Sequence, residues 1–143
     1  MEHVIAIVAL VLTGPLVGVE FGVAAFTNPL VSKLPDDAYR AVRSGGSRLL
    51  GALMPFWYIG TLIVLIAAAV LTRDVLTIVA VALMGLAILL TVTVLVPINN
   101  RIGAWRSNDD VNRGLAGRWD RLHGVRVGLL VAMFVALAVG VVG

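Results

Sequence analysis

The sequence of 143 residues contains no cysteine and little charge. Without a thiolate it cannot form a disulfide-stapled secreted module, nor a cysteine-ligated zinc, haem or iron–sulfur site. Only 13% of its residues are charged and 60% are hydrophobic, whereas soluble domains average about 25% charged and about 45–50% apolar residues. The mean hydropathy is +1.03. These values exclude an ordinary water-soluble protein and predict an integral membrane protein with a single domain, residues 1–143.

Four apolar stretches are candidates for membrane spans, each of which needs about 20 residues as a helix. The first three, with at most one charged residue each, are residues 4–26, 49–72 and 75–98. The uncharged run from Val127 to Gly143 is too short to cross a hydrocarbon core of about 30 Å. We therefore expect a fourth span at about residues 122–142, with His123 and Arg126 at the membrane boundary. The sequence predicts an all-α, up-down four-helix bundle in the membrane.

The basic residues predict how the bundle is oriented. The first connection with its borders and the third connection hold nearly all of them: Lys33, Arg40, Arg43, Arg48, Arg101, Arg106, Arg113, Arg118 and Arg121. The second connection has only Arg73. The positive-inside rule then places the first and third loops in the cytoplasm and both termini outside the cytoplasmic membrane. Topology and anionic headgroups account for the net charge of +3, so we expect membrane lipids as partners and no nucleic acid.

The two cytoplasmic loops are predicted to contain short helical segments. Asp36 or Asp37 is positioned to cap one that ends near residues 44–46, where a serine precedes two glycines. Asp109 or Asp110 is positioned to cap a second one, which continues into the fourth span.

Small residues recur at every fourth position in the first and fourth spans: Gly14, Gly18 and Gly22, then Gly124, Gly128, Ala132, Ala136 and Gly140. Such stripes allow two helix backbones to approach closely. We expect the first span to pack on the fourth through these stripes. The alternative is a homo-oligomer contact through the same residues.

Glu20 is the one charged residue within the first span. An ionised carboxylate buried there costs several kcal/mol unless it is paired, protonated or hydrated. Glu20 lies about 200° around the helix from Gly18, so it should face a polar interior rather than the neighbour of the glycine stripe. The alternative is a protonated Glu20 that donates to a backbone carbonyl or to Tyr58.

The fourth helix carries Trp119, His123 and Arg126 at spacings that place all three on one face. Taken singly, they fit an aromatic belt and a snorkelling arginine. An up-down bundle, however, brings nine polar or aromatic residues to its cytoplasmic end: Glu20, Asn28, Trp57, Tyr58, Asn99, Asn100, Trp119, His123 and Arg126. The opposite end offers only four polar residues: Glu2, His3, Arg73 and Asp74. This asymmetry predicts a functional site at the cytoplasmic end.

Three motifs in the order of the chain suggest a family: Asn28-Pro29, Pro97-x-Asn99-Asn100 and Trp119-x-x-x-His123-x-x-Arg126. With a polar stretch containing Trp105, they resemble the small four-span membrane proteins related to fungal anthrone oxygenases. Members with an assigned activity oxidise an anthrone to an anthraquinone in polyketide pathways, without flavin, haem or metal. The resemblance implies the same chemistry for a planar, lipophilic aromatic substrate.

The residues are compatible with a cofactor-free oxygenase. His123 would be the base, because imidazole titrates near neutral pH, with Glu20 as an alternative base or as the partner that orients it. Arg126 would stabilise the oxygen anion of the deprotonated substrate. The substrate-binding candidates are Trp119 and Trp57, which would stack on the rings, together with Asn28, Tyr58, Asn99 and Asn100. No metal is expected, since the only two histidines are predicted on opposite sides of the membrane.

Two further functions remain open at the level of the sequence. One is an accessory or structural membrane subunit, in which the buried polar residues serve packing and register alone. The other is a small exporter that exchanges protons for lipophilic cations through Glu20. The long third loop and the strong orientation bias disfavour the exporter.

Overall fold

The computed structural model describes residues 1–143, and they form four long helices joined by short connections. The helices are α1 (Glu2–Val31), α2 (Asp36–Thr72), α3 (Val75–Gly103) and α4 (Arg113–Val142). No strand is present. All four helices are long and apolar enough to cross a membrane, which confirms the prediction of an all-α, multi-pass membrane bundle.

The helices form a ring in which each packs on its neighbours in sequence, and α1 closes the ring against α4. The central core consists of side chains from all four helices, including Leu16, Leu65, Met84 and Leu130. The outer surface is also apolar, with exposed side chains such as Val11, Phe56, Ile63, Leu89 and Val135. Because lipid is as apolar as leucine, such a surface is suited to the hydrocarbon of a bilayer.

The helices extend well beyond the apolar runs. Residues 36–46 are helical, as predicted, but that helix does not end at Gly45 and Gly46 and continues as α2 to Thr72. Tyr39 and Arg43 are buried in this first part of α2. Packing of these side chains outweighs the roughly 1 kcal/mol by which each helical glycine disfavours the helix. No side-chain cap forms at the start of α2, where Pro35 is the capping residue.

The start of α4 also differs from the prediction in one respect. The helix runs without a break from the loop into the fourth apolar stretch, as expected, but its cap is Asn112, whose Oδ1 accepts from the Leu115 N–H at 2.9 Å. Asp110 instead lies in a separate 3-10 turn and accepts from the backbone N–H groups of Arg106 and Ser107. These two bonds stabilise the ionised carboxylate and hold the pKa of Asp110 below its usual value.

The first span packs on the fourth, as predicted, but of the glycine stripe in α1 only Gly14 lies against α4, where a Cβ would be 3.7 Å from the Phe134 ring. A Cβ atom added at Gly18, Gly22, Gly124 or Gly128 would meet nothing within 4 Å. The reason is the rotation of α4. Burial of the polar residues His123 and Arg126 against the other helices turns that face inward, and Gly124 and Gly128, on another face, are consequently exposed.

Two π-helical turns interrupt the α-helical pattern, Val23–Thr27 in α1 and Thr91–Leu95 in α3. In each turn a backbone N–H bonds to the carbonyl five residues earlier: Asn28 to Val23, and Val96 to Thr91. A proline follows each turn, at positions 29 and 97, and cannot donate the next α-helical hydrogen bond. Both turns occur at the same end of the bundle. In proteins generally, π-helical turns commonly mark functional sites.

Candidate functional site

A buried cluster of three side chains joins α1 to α4. Arg126 Nη2 lies 3.0 Å from Glu20 Oε2 and 2.9 Å from His123 Nδ1. Glu20, His123 and Arg126 are 3%, 1% and 7% exposed. The guanidinium is always protonated and therefore supplies the counter-charge that a buried carboxylate needs.

The hydrogen bonds define the tautomer of His123. Arg126 can only donate, so His123 Nδ1 must accept its hydrogen bond. The other ring nitrogen, Nε2, lies 3.1 Å from the backbone carbonyl oxygen of Glu20 and must donate to it. The tautomer with its proton on Nε2 satisfies both hydrogen bonds, and both ring nitrogens lie against groups of the protein.

Arg126 also connects the cluster to α3. Its Nη1 donates to Thr91 Oγ1 at 3.1 Å, and Thr91 is the first residue of the π-helical turn in α3. The Thr91 hydroxyl in turn donates to the Ala87 carbonyl at 2.7 Å. Arg126 therefore holds α1, α3 and α4 in a fixed relation around Glu20.

A cavity of about 260 Å³ lies beside this cluster and is lined by residues from all four helices. Ligand sites for small molecules usually measure about 300–1,000 Å³ and combine an apolar lining with a few placed polar groups. Most of the lining here is apolar, and the exceptions include Glu20, Tyr58, Thr91, Asn99, Asn100, His123 and Arg126. The cavity thus has the character of a site for a small, largely apolar ligand.

The cavity opens on the outer face of the bundle. Pro55 and Ile59 of α2 and Val92 and Val96 of α3 line it and are also exposed on the protein surface. The opening therefore lies between α2 and α3 and is bordered by apolar side chains. In a membrane this opening faces the hydrocarbon of the bilayer.

Several polar atoms around the cavity have no hydrogen-bond partner in the chain. Tyr58 Oη, Trp119 Nε1 and Arg126 Nε are buried without a partner. The Glu20 carboxylate meets Arg126 and His123 through Oε2, and Oε1 accepts no well-aligned hydrogen bond, with the Tyr58 hydroxyl close to the carboxylate. A buried unpaired polar group costs about 1–3 kcal/mol. These atoms are available to a ligand, and they comprise three donors and one anionic acceptor.

Seven of the nine residues predicted at the site line this cavity: Glu20, Tyr58, Asn99, Asn100, Trp119, His123 and Arg126. Trp119 stacks on His123, with ring centroids 4.7 Å apart and planes inclined by 12°. Asn99 Nδ2 donates to the Ser47 carbonyl at 3.0 Å, which orients the amide at the cavity wall.

The structure places Trp57 and Asn28 elsewhere. Trp57 does not line the cavity, and its indole N–H donates to the Leu12 carbonyl at 3.0 Å. Adjacent helical residues are rotated by about 100°, so Trp57 faces α1 while Tyr58 faces the cavity. Asn28 lines a smaller neighbouring cavity.

Sequence reasoning missed Thr91, Arg43 and Gly51. Thr91 lies within an apolar run, and Arg43 was attributed to loop charge, although it is buried and lies 5.5 Å from the Trp119 ring centroid. A Cβ at Gly51 would lie 3.1 Å from Asn99 Nδ2, so this glycine makes room for the asparagine. In the sequence, the only sign that Arg43 is buried is its position one helical turn after Tyr39, which puts both residues on the same face of the helix.

The comparison with protein families agrees with this geometry. A family model described as Anthrone oxygenase matches residues 48–136, well over half of the chain. The chain belongs to the anthrone oxygenase family. The matched range contains every cavity residue named above from α2, α3 and α4, whereas Glu20 precedes it. Neither the curated proteins nor the solved structures include a match to the chain. Membership of the anthrone oxygenase family confirms the resemblance seen in the sequence and supports an oxygenase-like activity at the level of the family.

Proposed function

We propose that the protein is a membrane-embedded, cofactor-independent oxygenase for a planar aromatic substrate of the anthrone or hydroquinone type. The observation that carries the proposal is the Glu20 carboxylate at the apolar cavity, with one oxygen held by Arg126 and the other without a well-aligned hydrogen bond. A base of this kind can remove a proton from a bound substrate in a site that excludes water.

Glu20 is the base in this proposal, and His123 positions it. Both nitrogens of His123 are already hydrogen bonded, so the imidazole has no free lone pair for a substrate proton. Its Nε2–H holds the backbone carbonyl of Glu20, and its Nδ1 holds Arg126. This assignment exchanges the two roles favoured by the sequence, where His123 was the first choice of base.

The reaction begins at the methylene carbon of the anthrone. Glu20 Oε1 takes one proton from this carbon, and the electron pair of the broken C–H bond is delocalised onto the carbonyl oxygen across the ring. The hydroxyl of Tyr58 and the Nε–H of Arg126, both unpartnered, are the donors that stabilise this developing oxygen anion.

Dioxygen then forms a C–O bond at the deprotonated carbon, and the resulting peroxide takes up the proton held by Glu20. Loss of the second hydrogen from this carbon, with cleavage of the O–O bond, releases water and leaves a carbonyl. The methylene carbon loses four electrons and dioxygen gains four. One oxygen atom of dioxygen enters the product and the other leaves as water.

The surroundings of the cavity suit both reactants. The lateral opening between α2 and α3 is apolar, and an apolar substrate and dioxygen both partition into lipid. From the excess of arginine and lysine in the first and third connections, we propose that this end of the bundle lies on the cytoplasmic side of the membrane, with both termini outside.

An isotope experiment tests the proposal. The purified protein in lipid nanodiscs is given anthrone under ¹⁸O₂, and the anthraquinone is analysed by mass spectrometry. We expect product formation well above the autoxidation seen in empty nanodiscs, with one ¹⁸O in the new carbonyl. The matched variants are Glu20→Gln, which should lose the activity, and Glu2→Gln at the exposed far end, which should keep it. Full activity in Glu20→Gln would overturn the proposal.

The same purified protein also distinguishes the oxygenase from the exporter and from the accessory subunit, the two other functions that the sequence left open. An exporter would take up a cationic dye into proteoliposomes in response to a proton gradient, and it would lose this uptake in Glu20→Gln. An accessory subunit would show neither product formation nor uptake. Membership of the anthrone oxygenase family favours the oxygenase over these two functions.

A further inference from the structure

A second cavity of about 100 Å³ adjoins the first. The two share Val23, Leu50, Asn99 and Trp119 in their linings, so Trp119 forms part of the wall between them. The smaller cavity adds Asn28 from α1 together with Arg43 and Ser47 from α2. It thus continues the larger cavity toward the connections at this end of the bundle.

Two acceptor atoms at or near the smaller cavity are occupied by Arg43. Asn28 Oδ1 accepts from Arg43 Nη1 at 3.3 Å, and Asp120 Oδ1 accepts from the same nitrogen at 2.8 Å. The ion pair with Asp120 compensates the charge of Arg43, which is only 8% exposed.

Two hydrogen-bond donors at the smaller cavity, in contrast, have no partner. Asn28 Nδ2 and Trp119 Nε1 are both buried and have no partner in the chain. Each belongs to a residue that lines the smaller cavity. Two buried unpaired donors destabilise the empty protein, and a ligand that brings an acceptor atom relieves this cost.

We infer that the smaller cavity is a subsite for an oxygen substituent on the aromatic substrate, with Asn28 Nδ2 and Trp119 Nε1 as its hydrogen-bond donors. This inference rests on the proposed function, since it assumes an aromatic ligand in the larger cavity. The ligand class is a planar aromatic that carries a carbonyl or carboxylate at one end. A volume of about 100 Å³ corresponds to about three water molecules at about 30 Å³ each, which limits the substituent to a few heavy atoms.

Trp119 is well placed to separate the substituent from the reacting end of the substrate. Its ring is fixed by stacking on His123 at 4.7 Å and by the nearby guanidinium of Arg43 at 5.5 Å. A ligand held past its edge would have one end at Asn28 and the other near Glu20. The subsite therefore selects the orientation in which a substituted ring enters the larger cavity.

The test compares two probes on the same variants. The probes are unsubstituted anthrone and an anthrone with an acetyl group on an outer ring, and kcat/KM is measured in nanodiscs. In Asn28→Leu we expect kcat/KM for the acetyl probe to fall about tenfold, which corresponds to about 1.4 kcal/mol for a lost hydrogen bond. The value for unsubstituted anthrone, which has no substituent in the subsite, should fall by clearly less. Asn28→Asp keeps the oxygen that accepts from Arg43 and replaces the donor by a second, anionic acceptor, so it should show a selective loss at least as large.

Equal losses on both probes, or no loss on either, would overturn the subsite. A binding measurement keeps this outcome separate from the failure of the proposed function. Native mass spectrometry with anthraquinone and acetylanthraquinone reports binding without any turnover. A selective loss of acetylanthraquinone in Asn28→Leu, in a protein that oxidises neither anthrone, would support the subsite and reject the oxygenase.

Discussion

Arg126 of α4 lies 3.0 Å from Glu20 of α1, and both side chains are more than nine-tenths buried. Two charges that the bilayer should exclude are therefore present as a pair. Removal of one partner from a buried pair leaves the other charge uncompensated, whereas removal of both is much less damaging. The pair is consequently a structural element as well as the centre of the candidate site.

The stability of the bundle should depend on this pair in a non-additive way. Arg126→Met should lower the free energy of unfolding by about 3–5 kcal/mol, and the double variant with Glu20→Gln should recover much of the loss. Unfolding of the detergent-solubilised protein measures both. Arg118→Met, at an exposed position of the same helix, is the control and should be close to neutral. Additive effects of the two single substitutions would contradict the pairing.

Glu20 and His123 should contribute unequally to the rate. Glu20→Gln removes the base and should lower kcat by about 10²–10⁴-fold. His123→Ala removes a positioning hydrogen bond and should lower kcat by about tenfold, while His3→Ala at the exposed end of α1 should have no effect. Steady-state kinetics with anthrone show which of the two substitutions lowers kcat more. A larger loss in His123→Ala than in Glu20→Gln would make the imidazole the base.

Tyr58 should affect activity without affecting stability. Its hydroxyl is buried close to the Glu20 carboxylate and makes no well-aligned hydrogen bond in the chain, so Tyr58→Phe should change the melting temperature little. Removal of a donor to the developing oxygen anion should nevertheless lower kcat by about 10²–10³-fold. Thermal unfolding and kinetics on the same sample test both parts. A lower melting temperature with unchanged kcat would show that the hydroxyl serves the fold.

The lateral opening should be sensitive to bulk. Val92 is 62% exposed at the rim of the cavity, and Val135 is 54% exposed on α4 and does not line it. Both valines face outward, so neither substitution by tryptophan crowds the core. Val92→Trp should raise KM for anthrone severalfold in nanodiscs, and Val135→Trp should not. The same KM in both variants would indicate that the substrate enters by another route.

Two glycines of α4 should respond in opposite ways to alanine. A Cβ at Gly140 would collide with Asp74 Oδ2 and lie 3.1 Å from Leu76, whereas one at Gly124 would meet nothing within 4 Å. Gly140→Ala should therefore destabilise the protein by about 1–3 kcal/mol. Gly124→Ala should stabilise it by up to about 1 kcal/mol, since alanine favours a helix. Loss of an oligomer in Gly124→Ala, measured by native mass spectrometry, would instead assign the exposed stripe to a contact between copies.

The sequence predicted which residues lie at the cavity better than it predicted which atoms they contact. Trp119, His123 and Arg126 lie on one helical face because their spacing follows the helical period, which is a local property. Trp57 was predicted at the site only because it precedes Tyr58 in the sequence. Adjacent helical residues point in different directions, and the Trp57 indole instead donates to the Leu12 carbonyl. The rotation of each helix about its axis depends on what packs against it, and for the same reason the glycine stripe of α4 faces outward.

The sequence by itself determined that this is a four-span membrane protein with polar residues concentrated at one end, because hydrophobic run length and helical spacing are read locally. Only the tertiary structure decided which atoms meet. His123 Nε2 reaches the Glu20 carbonyl across 103 positions of sequence, and this bond and that of Arg126 occupy both ring nitrogens of His123. Hydrogen bonds require atoms to lie within about 3 Å, and no local pattern specifies that distance for residues on different helices.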